Sequence, residues 1–157
     1  MKTVNQRQMG RMEGEFVVFL IGMRVNRWWK IGKWWQVASA MPRMLRELTE
    51  HPELGFLGGE QWLGRTTVMV GYWRSMDQLM AYAKSKTHAH LPAWRAFNKT
   101  IGLSGDVGVW HETYRCRPGD HEAVYVNMPR FGLAKAGATE LAAGRYEHAA
   151  GRLSAAT

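Results

Sequence analysis

Two histidines, His88 and His90, stand one residue apart immediately before an aromatic stripe, and they are the best candidates for catalytic residues. A neutral imidazole can act as a general acid or base, and it can also bind a haem iron. His90 is the stronger candidate, because helical spacing predicts that it shares a face with three apolar residues: Trp94, Phe97 and Ile101. Histidine at a turn between helices also satisfies backbone groups, so a structural role stays open for both residues.

A second group of polar candidates lies further along the chain. Tyr125 and Asn127 alternate along a predicted strand and should point to the same side, where they could hydrogen-bond an oxygenated substrate or join a core or interface network. Acid–base chemistry on such a substrate requires a base, a hydrogen-bond donor and a dry aromatic cavity. His90 with Tyr125 or Asn127 could supply the first two. The aromatic residues expected to line the cavity and bind substrate are Trp62, Tyr72, Trp73, Trp94 and Phe97.

A pair of predicted helices positions the two histidines. Ser75 and Gln78 form a capping-box pattern, which predicts that a helix begins at Met76. Residues 87–90 interrupt this helix, and Pro92 suits the first turn of the next one. The histidines are therefore expected at a sharp break between two helices, above the aromatic stripe.

The elements around these helices predict an α+β fold. The predicted strands cover 15–24, 54–63, 65–74, 106–116 and 122–128, and a further helix covers 38–51. Their order is typical of the ferredoxin-like fold, an antiparallel sheet with helices on one face. Residues 1–14 are expected to form an N-terminal arm that is loose unless a partner holds it. Residues 15–137 are expected to form the folded domain, and 138–157 a C-terminal tail with a helix over 139–153.

The first predicted strand favours a homodimer. Residues 16–21 are apolar at every position, so both faces of the strand must be covered. Helices can cover one face of a small sheet, and a second copy of the protein is the economical cover for the other. The eight tryptophans and ten methionines fit either a large cavity, an oligomer interface or a tryptophan-rich core.

The formal net charge of +8 comes from 21 Lys and Arg against 13 Asp and Glu, but the basic residues are scattered along the chain. No nucleic-acid motif is present, and neither a nucleic-acid nor a membrane partner is expected. Residues 26–35 interleave tryptophan pairs with basic residues. This segment is interpreted as a lid on the core or at a pocket mouth, with base stacking or a membrane interface as alternatives.

Several site types are excluded by the sequence. Cys116 is the single cysteine, so an intrachain disulfide and a cysteine-based zinc site cannot form, and no metal site is expected. There is no Gly-rich phosphate loop, HExxH or GxSxG, which leaves phosphoryl transfer and Rossmann-type flavin binding unsupported. The low cysteine content and the lack of a signal or of a long apolar run predict a cytoplasmic location.

Three stretches resemble a known family: PRMLRELTEHPELGFLGG at 42–59, TTVMVGYWRSMDQLMAYAK at 66–84, and WHETYRCRPGDHEAVYVNMPRFGLAKAG at 110–137. Together with the histidine turn, they are similar to a monooxygenase-like family formerly classed as a domain of unknown function. That family is related to the antibiotic-biosynthesis monooxygenases and belongs to the dimeric α/β-barrel superfamily. Its most specific matches here are YWRS, HETY and EAVYVNMPRFGL.

The resemblance covers roughly residues 15–137. It implies a homodimer whose sheets pack face to face, with a pocket in each subunit between sheet and helices. Superfamily relatives include cofactor-free oxygenases of aromatic polyketides, haem-degrading enzymes, haem-containing aldoxime dehydratases and chlorite dismutases. In the haem-binding relatives a histidine on the second helix ligates iron, and the position of the pair His88 and His90 is similar.

Three functional hypotheses follow. The first is a monooxygenase-like enzyme that oxidises a hydrophobic aromatic or polyketide-type small molecule, with no cofactor firmly implied. The second is a haem-binding enzyme, haem-degrading or dehydratase-like, with His90 as the iron ligand. The third is a non-catalytic protein that binds a small molecule in the same pocket.

Overall fold

The computed structural model describes residues 2–154 and contains two antiparallel sheets. The strands are β1 (Val4–Arg11), β2 (Phe16–Val25), β3 (Phe56–Trp62), β4 (Val68–Trp73), β5 (Val107–Cys116), β6 (Val124–Met128) and β7 (Ala138–Leu141). The α-helices are α1 (Ile31–Ala38), α2 (Ala40–Glu50), α3 (Met76–Lys84), α4 (His90–Thr100), α5 (Leu133–Ala136) and α6 (Ala149–Ser154).

The larger sheet has four strands in the order β3–β4–β2–β5, and every neighbouring pair is antiparallel. The chain passes from β2 through α1 and α2 to β3, and from β4 through α3 and α4 to β5. This order of strands and helices is the ferredoxin-like arrangement. The predicted α+β, ferredoxin-like fold is therefore confirmed.

Strand alternation places the main core on the helix side of this sheet. Val17 of β2 is fully buried and packs with Trp73 of β4. The helices contribute three buried side chains to the same cluster: Leu48, Leu79 and Tyr82. Each such burial is worth roughly 1.5–3 kcal/mol relative to exposure, so apolar packing fixes α2 and α3 on the sheet.

The predicted start of α3 is confirmed in atomic detail. The Ser75 hydroxyl oxygen accepts a hydrogen bond from the Gln78 backbone N–H at 3.2 Å, and α3 begins at Met76. The hydroxyl also lies 3.3 Å from the Gln78 side-chain oxygen. These contacts satisfy a backbone donor that the first turn of a helix would otherwise leave unpaired.

The sequence does not predict the second sheet, in which β1 lies between β6 and β7 and pairs antiparallel with both. Residues 4–11 are thus a paired strand and not a loose arm. The helix expected over 139–153 is also wrong for most of its length, because β7 occupies its start and only Ala149–Ser154 is α-helical. β1 escapes prediction because Met9 and Gly10 are its only buried residues, so it has no apolar period. The domain boundaries at residues 14 and 137 stay predictions.

The chain itself covers part of the other face of the larger sheet. Phe16 of β2 packs there with Met12 and with Leu133 of α5, and Val18 borders the same cluster. The need to cover both faces of β2 is therefore met at this end without a second copy. The homodimer stays a prediction, since a single chain does not test it.

Candidate functional site

A cavity of about 210 Å³ lies between the helix side of the larger sheet and the helices α1, α2 and α4. Most of its lining is apolar. The sheet contributes Ile21, Met23 and Val109, and the helices contribute Val37, Met41, Met44, Trp94 and Phe97. Such a concave apolar site between sheet and helices suits a hydrophobic small molecule.

His90 begins α4 and lines both this cavity and a smaller one of about 40 Å³ that continues toward the core. Its Nδ1 lies 3.0 Å from the carbonyl oxygen of Ala83 in α3. Since a carbonyl oxygen only accepts hydrogen bonds, Nδ1 donates, and in the neutral ring Nε2 keeps its lone pair. Among the described residues, 2–154, the His90 ring makes no other hydrogen bond. The side chain therefore offers a proton acceptor beside an apolar cavity.

The aromatic stripe of α4 forms one wall of the cavity. The rings of Trp94 and Phe97 are stacked, with centroids 5.5 Å apart and planes 13° from parallel. Both line the cavity, and Trp94 is also 46% exposed. The wall therefore extends from the interior to the surface and could hold a flat ring at the cavity mouth.

Four polar side chains in the cavity lining were missed by sequence reasoning. They are Gln36, Arg43, Gln61 and Thr67. Gln36, Arg43 and Thr67 lie on or beside amphipathic segments, where the sequence does not indicate which single polar side chain points into the cavity. For Gln61 a signal exists, because strand alternation places it on the same side of the sheet as Gly59 and opposite Trp62.

His88 is not part of the cavity lining and belongs to a hydrogen-bonded cluster at the helix break. Its Nδ1 lies 3.0 Å from Glu47 Oε1, while Glu47 Oε2 accepts from the Ala89 N–H and from the Tyr82 hydroxyl, each at 2.9 Å. Burial acts to raise the pKa of Glu47, but these hydrogen bonds outweigh it and lower the pKa. Burial, followed by the bond to Glu47, raises the pKa of Tyr82, so its hydroxyl stays a donor. This geometry favours the structural role left open for His88.

Tyr125 and Asn127 do not meet His90. They lie on β6 in the second sheet, and neither lines the cavity. Asn127 also has a φ of 54°, which breaks the strand alternation that predicts a common direction for the two side chains. The Tyr125 hydroxyl instead lies beside that of Tyr72, since a Cβ built on Gly132 would be 3.2 and 3.3 Å from the two oxygens. Burial raises the pKa of Tyr72 to about 12 and also raises the pKa of Tyr125.

Trp62 and Trp73, the two tryptophans predicted to form cavity walls on the sheet, lie on opposite faces of it. Trp62 points away from the helices and contacts Phe131, with ring centroids 5.8 Å apart. Trp73 faces the helices but is only 3% exposed, and it lines the smaller cavity as part of the core. Tyr72, next to it, belongs to the cluster on the opposite face. Of the five predicted wall residues, Trp94 and Phe97 are therefore the two that line the larger cavity.

The structure also bears on two other features, metal sites and membrane-spanning helices. Within the described range, 2–154, no three His, Cys, Asp or Glu side chains are grouped so that they could hold a metal ion. In the same part of the chain, no helix is long and apolar enough to cross a membrane.

Comparison with known proteins tests the resemblance inferred from the sequence. Residues 16–133 match the model of the family described as monooxygenase af470-like. The chain is 25% identical over 126 residues to monooxygenase af470 of Aspergillus fumigatus. The aligned residues make up 73% of this chain and 44% of that protein. Its fold is similar to that of an aldoxime dehydratase solved with butyraldoxime, with a TM-score of 0.64 and 14% identity over 81% of this chain and 42% of that one.

The chain thus spans less than half the length of both proteins. The similarity to the aldoxime dehydratase establishes the fold, and the family match extends over most of the ferredoxin-like domain. The predicted resemblance to a monooxygenase-like family is confirmed: this chain belongs to the monooxygenase af470-like family.

Proposed function

We propose that this protein is an oxygenase of a hydrophobic aromatic or polyketide-type small molecule, with His90 as the general base. One observation carries the proposal: the His90 ring lines an apolar cavity, its Nδ1 is held by the Ala83 carbonyl, and its Nε2 can accept a proton. Membership of a monooxygenase-like family supports oxygenation as the reaction class.

The proposed substrate carries a CH₂ group activated by neighbouring aromatic and carbonyl groups. Nε2 of His90 removes one proton, and the carbanion passes an electron to O₂. The two radicals combine as a peroxide anion on carbon, and this anion takes the proton back from His90 to become a hydroperoxide. Loss of water then leaves a carbonyl group. One oxygen atom enters the product and the other leaves as water, while the substrate supplies all the electrons. An apolar cavity assists because the uncharged substrate and O₂ both prefer it to water.

The size of the cavity restricts the substrate. Ligand sites are typically roughly 300–1,000 Å³, and this cavity is about 210 Å³. It therefore fits one or two fused rings, with the remainder of a larger substrate against the exposed edge of Trp94. Gln36 and Gln61 are the side-chain amides in the lining that can donate hydrogen bonds to a ring oxygen.

Oxygen uptake tests the proposal, with anthrone as the substrate. His90→Asn is the sharpest variant, because asparagine can keep an N–H directed at the Ala83 carbonyl but has no basic nitrogen. We expect its turnover to fall by at least about 100-fold, the range for loss of a general base. His88→Ala is the matched control and should keep turnover once its folding is verified. Unchanged turnover in His90→Asn would contradict the proposal, and saturable binding without oxygen uptake would favour a non-catalytic binder.

Haem remains the second hypothesis to be tested against the geometry. The donor chemistry of His90 fits, since an Nδ1–H held by a backbone carbonyl is the usual arrangement for a metal-binding imidazole. The size of the cavity does not fit haem, because a porphyrin macrocycle needs more volume than the about 210 Å³ between these helices and the sheet. Among the described residues, Arg43 is also the one Lys or Arg in the lining that could pair with the propionates. Visible spectroscopy with added haemin should therefore show no sharp Soret band that depends on His90.

We also propose that the protein is a homodimer. The family resemblance supports this assembly, as does the exposure of aromatic side chains on the sheet face opposite the helices, where Tyr114 is 51% exposed and Trp62 is 45% exposed. Both would be covered by a facing sheet. Light scattering at micromolar concentration should give twice the chain mass of 17.9 kDa, and a monomer mass would disprove the assembly.

A further inference from the structure

Six large apolar side chains are exposed at the end of the domain where β2 finishes and α1 begins. We call this surface the tryptophan end, and its members are Trp28, Trp29, Ile31, Trp35, Leu63 and Leu103. Trp28 is 73% exposed and Leu103 is fully exposed. Isolated exposed apolar residues are ordinary, but a concentration of them with three tryptophans indicates a contact surface.

Hydrogen bonds hold the segments of the tryptophan end together. The Val25 N–H donates to the Arg65 carbonyl in the β3–β4 turn at 2.9 Å. The Asn26 N–H donates to the Asp106 carbonyl at 3.1 Å, which ties the segment before α1 to the loop that carries Leu103. The six side chains therefore belong to adjoining segments at one edge of the protein.

A buried carboxylate fixes basic residues beside these apolar groups. Asp106 is fully buried and forms ion pairs with Arg27 at 2.7 Å, with Lys30 at 3.2 Å and with Lys33. The hydrogen bond from Lys33, with those from Lys30 and Arg27, lowers the pKa of Asp106 far below its usual range despite burial. One carboxylate against three cations leaves a net positive charge, and each cation keeps at least a third of its side chain exposed.

The tryptophan end also adjoins the cavity. Gln36, Val37 and Ala38 of α1 line the cavity, although the neighbouring Trp35 points to solvent. Leu63 belongs to both, since it lines the cavity and is also exposed. The cavity mouth and the exposed tryptophans are therefore parts of one surface.

We infer that the tryptophan end binds the surface of an anionic lipid bilayer. Tryptophan suits the region between headgroups and acyl chains because its ring is apolar and its N–H is polar. The leucine and isoleucine side chains would enter the acyl region, and the cations around Asp106 would face anionic headgroups. The sequence alone favours no membrane partner, and the exposure of these side chains is what changes that interpretation. The inference does not depend on the proposed oxygenation.

Lipid fits this surface better than single-stranded nucleic acid. The three aliphatic members, Ile31, Leu63 and Leu103, cannot stack on bases, and Leu63 and Leu103 are the two most exposed side chains of the set. Trp28 and Trp29 meet edge to face at 84°, which is not the open flat platform that base stacking uses.

Vesicle co-sedimentation tests the inference on the full chain. Phosphatidylcholine vesicles with and without phosphatidylserine are the probes, and brominated phosphatidylcholine reports tryptophan insertion by fluorescence quenching. We expect binding to the phosphatidylserine vesicles, weakened by added salt and accompanied by quenching. Combined replacement of Trp28, Trp29 and Trp35 by serine should lower the partition coefficient by about tenfold for each tryptophan.

Two single substitutions keep the test decisive if the triple variant folds poorly. Leu103→Ser removes a side chain that packs on nothing, so its effect on vesicle binding cannot come from unfolding. Leu141→Ser, at a 56% exposed position of β7 in the second sheet, is the matched control and should bind as the parent does. Equal binding by all variants would overturn the inference. So would no binding to either vesicle, binding to a single-stranded oligonucleotide only, or burial of the tryptophans against a second copy of the chain.

Discussion

Glu47 holds the break between α3 and α4, so its removal should loosen the segment that begins with His90. Its carboxylate accepts hydrogen bonds from the Tyr82 hydroxyl, the Ala89 N–H and His88 Nδ1, at 2.9, 2.9 and 3.0 Å. In Glu47→Ala these three partly buried donors lose their acceptor at once. The side-chain hydrogen bonds left at the break would be those of His90 Nδ1 with the Ala83 carbonyl oxygen and of Ser85 with Thr87.

The size of the effect follows from the number and type of these bonds. A hydrogen bond to a charged group contributes about 1.5–3 kcal/mol, and a donor left without a partner costs a similar amount. The Glu47 side chain is 22% exposed, so water replaces part of what is lost. We therefore expect Glu47→Ala to lower the free energy of unfolding by about 3 kcal/mol. With a urea m-value of about 2 kcal/mol/M, the unfolding midpoint would fall by about 1.5 M.

The pH dependence separates the charge from the shape of the side chain. The pKa of Glu47 is lowered in the fold from its ordinary 4.5, so the ionised carboxylate stabilises the protein above that value, and the contribution is lost as pH falls through the lowered pKa. The stability difference between parent and Glu47→Gln should be complete at neutral pH and should shrink in acid. Urea unfolding followed by circular dichroism at several pH values measures it.

A matched control lies on the same helix. Glu50 is exposed, so Glu50→Ala should change the free energy of unfolding by no more than about 0.5 kcal/mol. A loss below about 1 kcal/mol in Glu47→Ala at neutral pH would refute the assigned weight of the three hydrogen bonds. If the difference in the free energy of unfolding between parent and Glu47→Gln persisted unchanged in acid, the charge of Glu47 would not be what stabilises the break.

Three further substitutions test other parts of the structure. Gly22→Ala should be strongly destabilising in urea, because its Cβ would lie 2.0 Å from the Thr67 carbonyl oxygen, whereas Gly32→Ala, with nothing within 4 Å, should be neutral or stabilising by up to about 1 kcal/mol. Asp106→Asn should lower the thermal midpoint, and by more at low salt than at high salt, because the cations around it then repel each other with no carboxylate between them; a drop independent of salt would contradict this. Trp94→Ala should weaken binding of an aromatic ligand by about tenfold, as measured by calorimetry. Its urea unfolding midpoint should stay nearly unchanged, since the Trp94 side chain is 46% exposed.

Local signals made the central part of the chain predictable. The Ser75 cap, the break at 87–90 and Pro92 each act within one turn of a helix, and α3 and α4 lie where these residues predict. The placement of His90 beside Trp94 and Phe97 follows from helical spacing in the same way. Such features depend on neighbours in the sequence and need no knowledge of the tertiary fold.

The second sheet and the far candidates depend on pairing that no local pattern reveals. Tyr125 seemed a partner for His90 only because both were expected near one sheet, but β6 pairs with β1 and lies in the second sheet. Alternation along β3 predicts that Gln61 and Trp62 point to opposite faces of the sheet. Which of the two lines the cavity depends on which face of this edge strand meets the helices. The register of the strands decides that, and register is set by contacts between distant segments.

The arrangement of the second sheet has a consequence for the order in which the protein folds. Arg11 of β1 forms an ion pair with Glu140, 129 positions later in the chain, and within residues 2–154 the strand partners of β1 are β6 and β7. All four strands of the larger sheet precede β6, so during synthesis on the ribosome that sheet can assemble as β1 waits without a partner. β1 is therefore made before the larger sheet and paired after it, and until then its edges are free to pair with another nascent chain.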